Sequence, residues 1–387
     1  MRVLFTTWAW PSHLYAMVPL AWACRAAGHE VLVASQPGLA PTTMSTGLPG
    51  ADVGANVDAV EMVRGYLLPS ATDQANGRAP RVGKGPRAVQ MFMAHAESMV
   101  DDLIELAKDW HADLVVYEPT AWAGPVAAAV AGVPAVRHLY GTDLMNRAAE
   151  VIAGALSPLA QRYGVDSVDP RGALTIDPTP PSLQTPNLTY PRLTMRYVPF
   201  NGSGQLVPEL LGTPARQRVC VTWGHTIAKV NPDRFLVGDV LNAITGLDIE
   251  VVAAISGEQR ELLGELPKGV VLADSVPLDL LMPGCDLLIG HGGAGSVLTG
   301  LVHGVPQLLI PQLPDHAGHA ARVLANGAGA VLTRDEATPV DIAVETARLL
   351  TATAEHDAAR RLSQQIANQP SPAEVVTELE TRFGPGH

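Results

Sequence analysis

The sequence predicts an α/β protein made of two lobes, each a parallel sheet covered by helices, with loops of the two sheets facing across a cleft. Three observations carry this. The chain opens with an apolar strand over 3–7, a loop over 8–12, a helix over 13–27 and a second strand over 30–34. The same order of elements starts again with a strand over 218–222, after a stretch rich in proline and glycine. From there, short apolar strands and helices alternate to the end of the second half. Parallel neighbours need long crossovers, so this alternation builds parallel sheets rather than hairpins.

In the first half, Ser12 is a candidate cap for the opening helix, Pro19 a source of bending, and Gly28 its stop. Residues 36–65 are poorly patterned, and 70–85, polar and interrupted by Pro80, read as a surface loop. A helix over 88–107 shows apolar positions at helical spacing, among them Met91 and Met99. Strands follow over 113–117 and 134–137, each leading through a short loop into a helix, over 122–131 and 144–162. Residues 166–212 are broken by proline and glycine and read as an interdomain connector. In the second half, strands are expected over 249–254, 269–272, 286–289, 307–310 and 330–333. Helices fit over 232–244, 257–263, 296–304, 316–326 and 340–350. A helix over 371–383, with Ser371 and Glu374 as a capping pair, is expected to cross back to the first lobe. The expected units are 1–200, a linker over 201–215, 216–368, and the closing segment 369–387.

The chain has 387 residues, 47% of them hydrophobic, enough for two cores. Its formal charge is −12, from 26 Lys+Arg against 38 Asp+Glu, and no long basic block is present. That argues against nucleic acid or an anionic membrane as partner, while leaving room for one diphosphate held by backbone amides. Cys24, Cys220 and Cys285 sit far apart in apolar surroundings and read as buried thiols, in neither a disulfide nor a zinc pattern. The chain starts directly with a strand, without a signal-peptide pattern, and its apolar runs are too interrupted to span a bilayer; a cytoplasmic location is expected.

The densest constellation is Asp286-Leu-Leu-Ile-Gly-His291-Gly-Gly-Ala-Gly-Ser296. A strand end, His291, three glycines and a helix start leave backbone N–H groups pointing at one place, which suits an anion. Neither a G-x-G-x-x-G at Gly290 nor a P-loop Lys-Ser/Thr is present. Taken alone, the turn is equally a tight strand-to-helix connection with an incidental histidine.

In order and spacing, several segments together resemble the nucleotide-sugar-dependent glycosyltransferases of the GT-B type, specifically the actinobacterial branch that tailors antibiotic and polyketide natural products. They are 2–19, Pro180-Pro-Ser-Leu183, Met195-Arg-Tyr-Val-Pro-Phe-Asn-Gly202, 219–226, Val276-Pro-Leu278, 291–296 and 311–320. The resemblance covers essentially the whole chain and implies two facing Rossmann-like domains, the first for the acceptor and the second for the donor. It implies that His291, with Gly293, Ala294, Gly295 and Ser296, holds the donor diphosphate, and that Thr222, Gly224 and His225 lie on its phosphate side. His225 replaces the small residue usual there. Ser275 and Val276 would frame the nucleobase. Asp315 would accept from sugar hydroxyls, with His316 beside it; His316 and His319 stand where the family commonly has Gln and Asn. Two histidines beside Asp315 also suggest part of a metal site, but an adequate third ligand is not evident, and neither a metal nor a cofactor is expected.

In the first lobe the resemblance makes His13 the general base, since imidazole titrates at about 6.5, near working pH, and a hydroxyl is a weak nucleophile until its proton leaves. Asp143 is the preferred carboxylate to orient it and Glu118 the second choice. Trp8, Trp10, Tyr15, Met62, Tyr66, Met91 and Tyr140 are candidates to line a hydrophobic acceptor pocket. The implied reaction is an inverting transfer of a deoxysugar from a thymidine diphosphate (TDP) sugar to an aglycone hydroxyl. C-glycosylation, a nucleotide-sugar epimerase and a non-catalytic sugar-binding or auxiliary protein stay open as alternatives, as do a homodimer and an activator protein as partners. A dinucleotide oxidoreductase is excluded, because residues 7–13 contain no glycine.

Overall fold

The computed structural model describes residues 1–65, 67, 87–210 and 212–384. Tyr66 and the loop expected over 70–85 lie outside the described residues. The first sheet contains β1 (Arg2–Thr6), β2 (Glu30–Ser35), β3 (Gly50–Asp52), β4 (Leu114–Tyr117), β5 (Ala135–His138), β6 (Leu174–Asp177) and β7 (Arg192–Thr194). Its order is β3-β2-β1-β4-β5-β6-β7. The second contains β8 (Arg218–Thr222), β9 (Glu250–Ile255), β10 (Val270–Asp274), β11 (Leu287–Gly290), β12 (Gln307–Leu309) and β13 (Gly329–Val331), ordered β10-β9-β8-β11-β12-β13. All strand pairs are parallel. Both orders reverse direction beside their first strand, between β1 and β4 and between β8 and β11. Ligands of such sheets bind in the crevice outside the strand ends at that point.

Both faces of the sheets are covered, which is why the strands read as unbroken apolar runs. In β1, Leu4 points into one core and Val3 and Phe5 into the opposite one. The longer helices are α1 (Pro11–Ala26), α2 (Arg87–Asp109), α3 (Ala123–Ala131), α4 (Ala149–Gln161), α5 (Val237–Ile244), α6 (Ala294–Val302), α7 (Pro314–Ala325), α8 (Pro339–Thr351), α9 (Thr353–Ala367) and α10 (Pro372–Phe383). α3 stops at Gly132, which takes the left-handed conformation at φ 72°.

Several expectations are corrected. α1 starts at Pro11, which has no amide hydrogen to waste in a first turn, so Ser12 lies inside the helix and no side chain caps it. Residues 166–194 are not a connector: they supply β6 and β7, whose ladders extend the first sheet. Their prolines fall outside the paired positions, where no ladder hydrogen bond is lost. α6 begins at Ala294 rather than Ser296, and α9 was not foreseen. Cys24 and Cys220 are buried free thiols, but Cys285 is half-exposed, its Sγ donating to the Leu281 carbonyl at 3.2 Å. Among the described residues no helix is long and apolar enough to cross a membrane.

α10 does cross back. It carries the reciprocal Ser371–Glu374 capping box and buries Val375, Val376 and Leu379 with Leu14, Met17 and Val18 of α1. His29 is held beside it, between the Met1 amino group (3.2 Å) and Glu380 (3.0 Å). The lobes also touch directly. Arg322 on α7 donates to the carbonyls of Leu183 (2.8 Å), Ser182 (3.1 Å) and Gln184. Gly318 lies so near Leu144 that a Cβ would come within 2.5 Å of it.

Candidate active site

His13 stands in the first turn of α1, at the carboxyl end of β1, with its side chain largely buried. Glu118 follows β4 and is completely buried. Between them is Thr120. Its hydroxyl lies 2.8 Å from Glu118, receives the Trp8 indole N–H at 2.8 Å, and is 3.2 Å from His13 Nδ1. The single hydroxyl hydrogen goes to the carboxylate, which can only accept. Nδ1 of His13 is therefore the donor, shared between Thr120 Oγ1 and Glu118 Oε2 at 3.3 Å. In the neutral ring this leaves the lone pair on Nε2. Tyr140 stacks on the imidazole at 4.6 Å between centroids, and Trp8 meets it edge-on at 5.3 Å. Burial raises the Tyr140 hydroxyl well above its ordinary pKa, so it stays a phenol.

Asp143, the preferred partner of His13 on resemblance, is engaged elsewhere. Its carboxylate accepts from Arg137 at 2.8 Å, the Tyr190 hydroxyl at 2.5 Å and the Asn146 amide at 3.1 Å. Arg137 is itself buried, and a buried guanidinium requires a nearby carboxylate. Gln184 joins this pair to the rest of the lobe, accepting from the Asp143 amide and donating to Asp177.

In the second lobe, His291 follows β11 directly and is buried. Gly292 turns the backbone at φ +86°, and Gly293 is the N-cap of α6, where no side chain satisfies the first amides. The imidazole is wedged between two glycines: a Cβ at Gly224 would come within 2.8 Å of the ring, and one at Gly293 within 2.5 Å of Nε2. Burial lowers its pKa well below the usual value, and His316 and His225 lower it further, so the ring is neutral and can donate one hydrogen bond. Thr222, at the end of β8, pairs with Gly290 in the sheet and is buried; His225 is exposed at the start of a short helical turn. Gln259 donates to the Gly224 carbonyl and pins that loop. Ser275, exposed, takes a left-handed φ of 55°, and Val276 is part of a core cluster.

Asp315 opens α7 with a half-exposed carboxylate. Burial works against its ionised form, but His316, His319 and the helix-start amides outweigh that and hold its pKa below the usual range. His316 packs edge-on against His291 at 4.6 Å. Between the lobes lies a small cavity of about 40 Å³, lined by Pro119, Tyr140, Gly141 and Asp143 from one side and Asp315 and His319 from the other, among others. It thus joins the loops after β4 and β5 to the start of α7. Among the described residues no cluster of three or more His, Cys, Asp or Glu is placed to hold a metal ion.

The acceptor candidates divide. Tyr140 touches both His13 and the cavity. Trp10, half-buried, stacks on Trp8 at 4.9 Å, and Met62 is half-buried on a short helix over Ala59–Arg64. Trp8 and Met91 are core residues, buried because their large apolar surfaces fill the space under α2 and α3. Trp8 acts on the site through Thr120 and through its edge-on contact with His13. Tyr15 packs edge-on to Phe200 at 5.1 Å and lies against Gly202, and is not among the residues lining the cavity. Sequence reasoning missed Thr120, Gln259 and Gly141, of which Gly141 carried a signal in its place within a strand-end loop; His319 was noted only as a departure from the family's usual residue.

Comparison with known proteins agrees with this architecture. Residues 22–224 match the family model described as erythromycin biosynthesis protein CIII-like, N-terminal domain, and 238–381 its C-terminal domain. The chain is 36% identical to the 10-deoxymethynolide desosaminyltransferase of Streptomyces venezuelae, over 98% of this chain and 96% of that protein. The solved structure of spinosyn rhamnosyltransferase SpnG superposes with a TM-score of 0.86 at 31% identity, covering 98% and 100% of the two chains. Glycosyltransferase VinC in complex with DTDP superposes at 0.82 and 31%, covering 99% of each. The two-lobed GT-B fold is common to all three structures.

Proposed function

Because the chain belongs to the erythromycin biosynthesis protein CIII-like family over both of its domains, we propose that this sugar-transferring enzyme moves a deoxysugar from a TDP-sugar to a hydroxyl of a hydrophobic polyketide or related aglycone. The observation that carries the mechanism is the relay Glu118–Thr120–His13, which commits the Nδ1 hydrogen and leaves Nε2 as the free base. The acceptor hydroxyl gives its proton to Nε2 while its oxygen attacks the anomeric carbon, and the bond from that carbon to the diphosphate oxygen breaks. A single displacement inverts the anomeric centre. His291 and the amides that start α6 receive the growing charge of the diphosphate. Residues 1–200 hold the acceptor and 216–368 the donor, with Asp315 on the sugar. The DTDP in VinC and the 10-deoxymethynolide named for the desosaminyltransferase support this choice of substrates.

The test is a turnover screen of TDP-deoxysugars against polyketide aglycones, with the linkage and anomer of the product determined. An O-glycoside of inverted configuration is expected, and His13→Ala should lower kcat about 10²–10⁴-fold while TDP binding persists. Retention of configuration, or a His13→Ala enzyme as fast as the parent, would overturn the mechanism.

A further inference from the structure

His319 lies one helical turn beyond Asp315 on α7 and is 2% exposed. Its Nδ1 is 3.2 Å from the Gly292 carbonyl, which can only accept, so Nδ1 carries the hydrogen. Burial lowers the pKa of the ring despite the nearby Asp315, so the ring is neutral and Nε2 keeps its lone pair. Nε2 has no hydrogen-bond partner among the described residues, which is costly for a buried acceptor unless a ligand supplies the hydrogen. It faces the seam between the lobes, where residue 141 is a glycine. A Cβ there would come within 3.1 Å of Nε2 and 2.8 Å of the Ala294 side chain. Gly141 and His319 both line the cavity that contains Asp315.

We infer that His319 reads the donor sugar: its Nε2 and the Asp315 carboxylate form a pair of hydrogen-bond acceptors for a sugar that carries neighbouring donors, either hydroxyls or a protonated amine. This rests on the nucleotide-sugar function proposed above and narrows its substrate class. Since the ring is fixed by the carbonyl of Gly292, the same turn that bears His291 sets both the diphosphate and the sugar contact. His316 packs edge-on against His291, and its Nε2 lies 4.0 Å from Asp315.

Calorimetric titration of the full chain tests this without an acceptor. The probes are TDP, a TDP-hexose with free hydroxyls, a TDP-aminodeoxyhexose, and a TDP-hexose deoxygenated at C3 and C4. The parent should bind one or both donor-bearing sugars more tightly than the deoxygenated one. His319→Asn keeps a donor near the Nδ1 position but lacks Nε2; it should lose about tenfold of that preference with TDP affinity unchanged. His319→Gln, whose amide oxygen reaches toward the Nε2 position, should retain most of it. Whichever sugar suffers the larger loss identifies the hydroxyl or the ammonium as the group that is read. If His319→Asn weakens TDP and every sugar alike, the residue is only a brace for the turn and the inference fails. It fails too if the parent does not discriminate among the sugars. A parent chain that binds no TDP would overturn the donor assignment itself.

Discussion

At the scale of residues, the two carboxylates after β4 and β5 do different work, and substitution separates them. Glu118→Gln keeps the shape but loses the charge that Thr120 and His13 share. It should lower kcat by about 10–100-fold with little change in Tm. Asp143→Asn strips the buried Arg137 of its counter-ion, and should instead cost about 3–5 kcal/mol of stability, read as a fall in Tm. Equal losses of activity at unchanged Tm would contradict the geometry. Two further histidines matter for stability alone. Burial pushes His95 and His138 down to about 4, so both are neutral in the folded chain. Below about pH 6.5 the unfolded chain takes up protons that the folded one refuses, so stability should fall from there to about pH 4 and not change above 6.5. Each contributes on the order of 3 kcal/mol at most, and urea unfolding at pH 7, 6 and 5 should show the slope shrink in His138→Leu. His13 and Glu118 were legible as chemistry at strand ends. Thr120 was not, because its role depends on Trp8, 112 residues away in sequence.

At the scale of elements, the turn from β11 to α6 is built on absent side chains. Gly293→Ala would drive a methyl to within 2.5 Å of His291 Nε2. TDP affinity should fall about tenfold or more as the ring is displaced. Gly154→Ala is the contrast: inside α4, with nothing within 4 Å of the new methyl, it should raise stability by about 0.5–1 kcal/mol, seen as a higher Tm. This turn was visible in the sequence because glycine and histidine at a strand end are chemically specific. β6 and β7 were hidden, because three or four extended residues between prolines have no periodicity of their own. α9 was hidden for another reason. Its buried face is Ala358, Ala359, Leu362 and Ile366, too small a stripe to stand out in a polar segment, and it follows α8 after the single residue Ala352.

At the scale of the molecule, the repeated order of strands was readable because each half restarts with the same strand–loop–helix. The contacts that make one body of the halves were not, since Arg322 meets backbone carbonyls that any sequence would offer. The closing helix is the strongest of these ties. A chain ended after Gln369 would uncover the α1 surface that Val375, Val376 and Leu379 bury. At about 1.5–3 kcal/mol for each such side chain, the first lobe should lose roughly 5–9 kcal/mol and melt ahead of the second. A single unchanged transition would show that α10 adds nothing.

That helix also imposes an order in time. The first sheet is finished when residue 194 has been made, yet its outer layer waits for residues 372–383. During synthesis the lobe made first therefore stays incomplete until residues 372–383 have left the ribosome, with the apolar face of α1 uncovered while the second lobe folds. Of the two lobes, the one made first is sealed after the other.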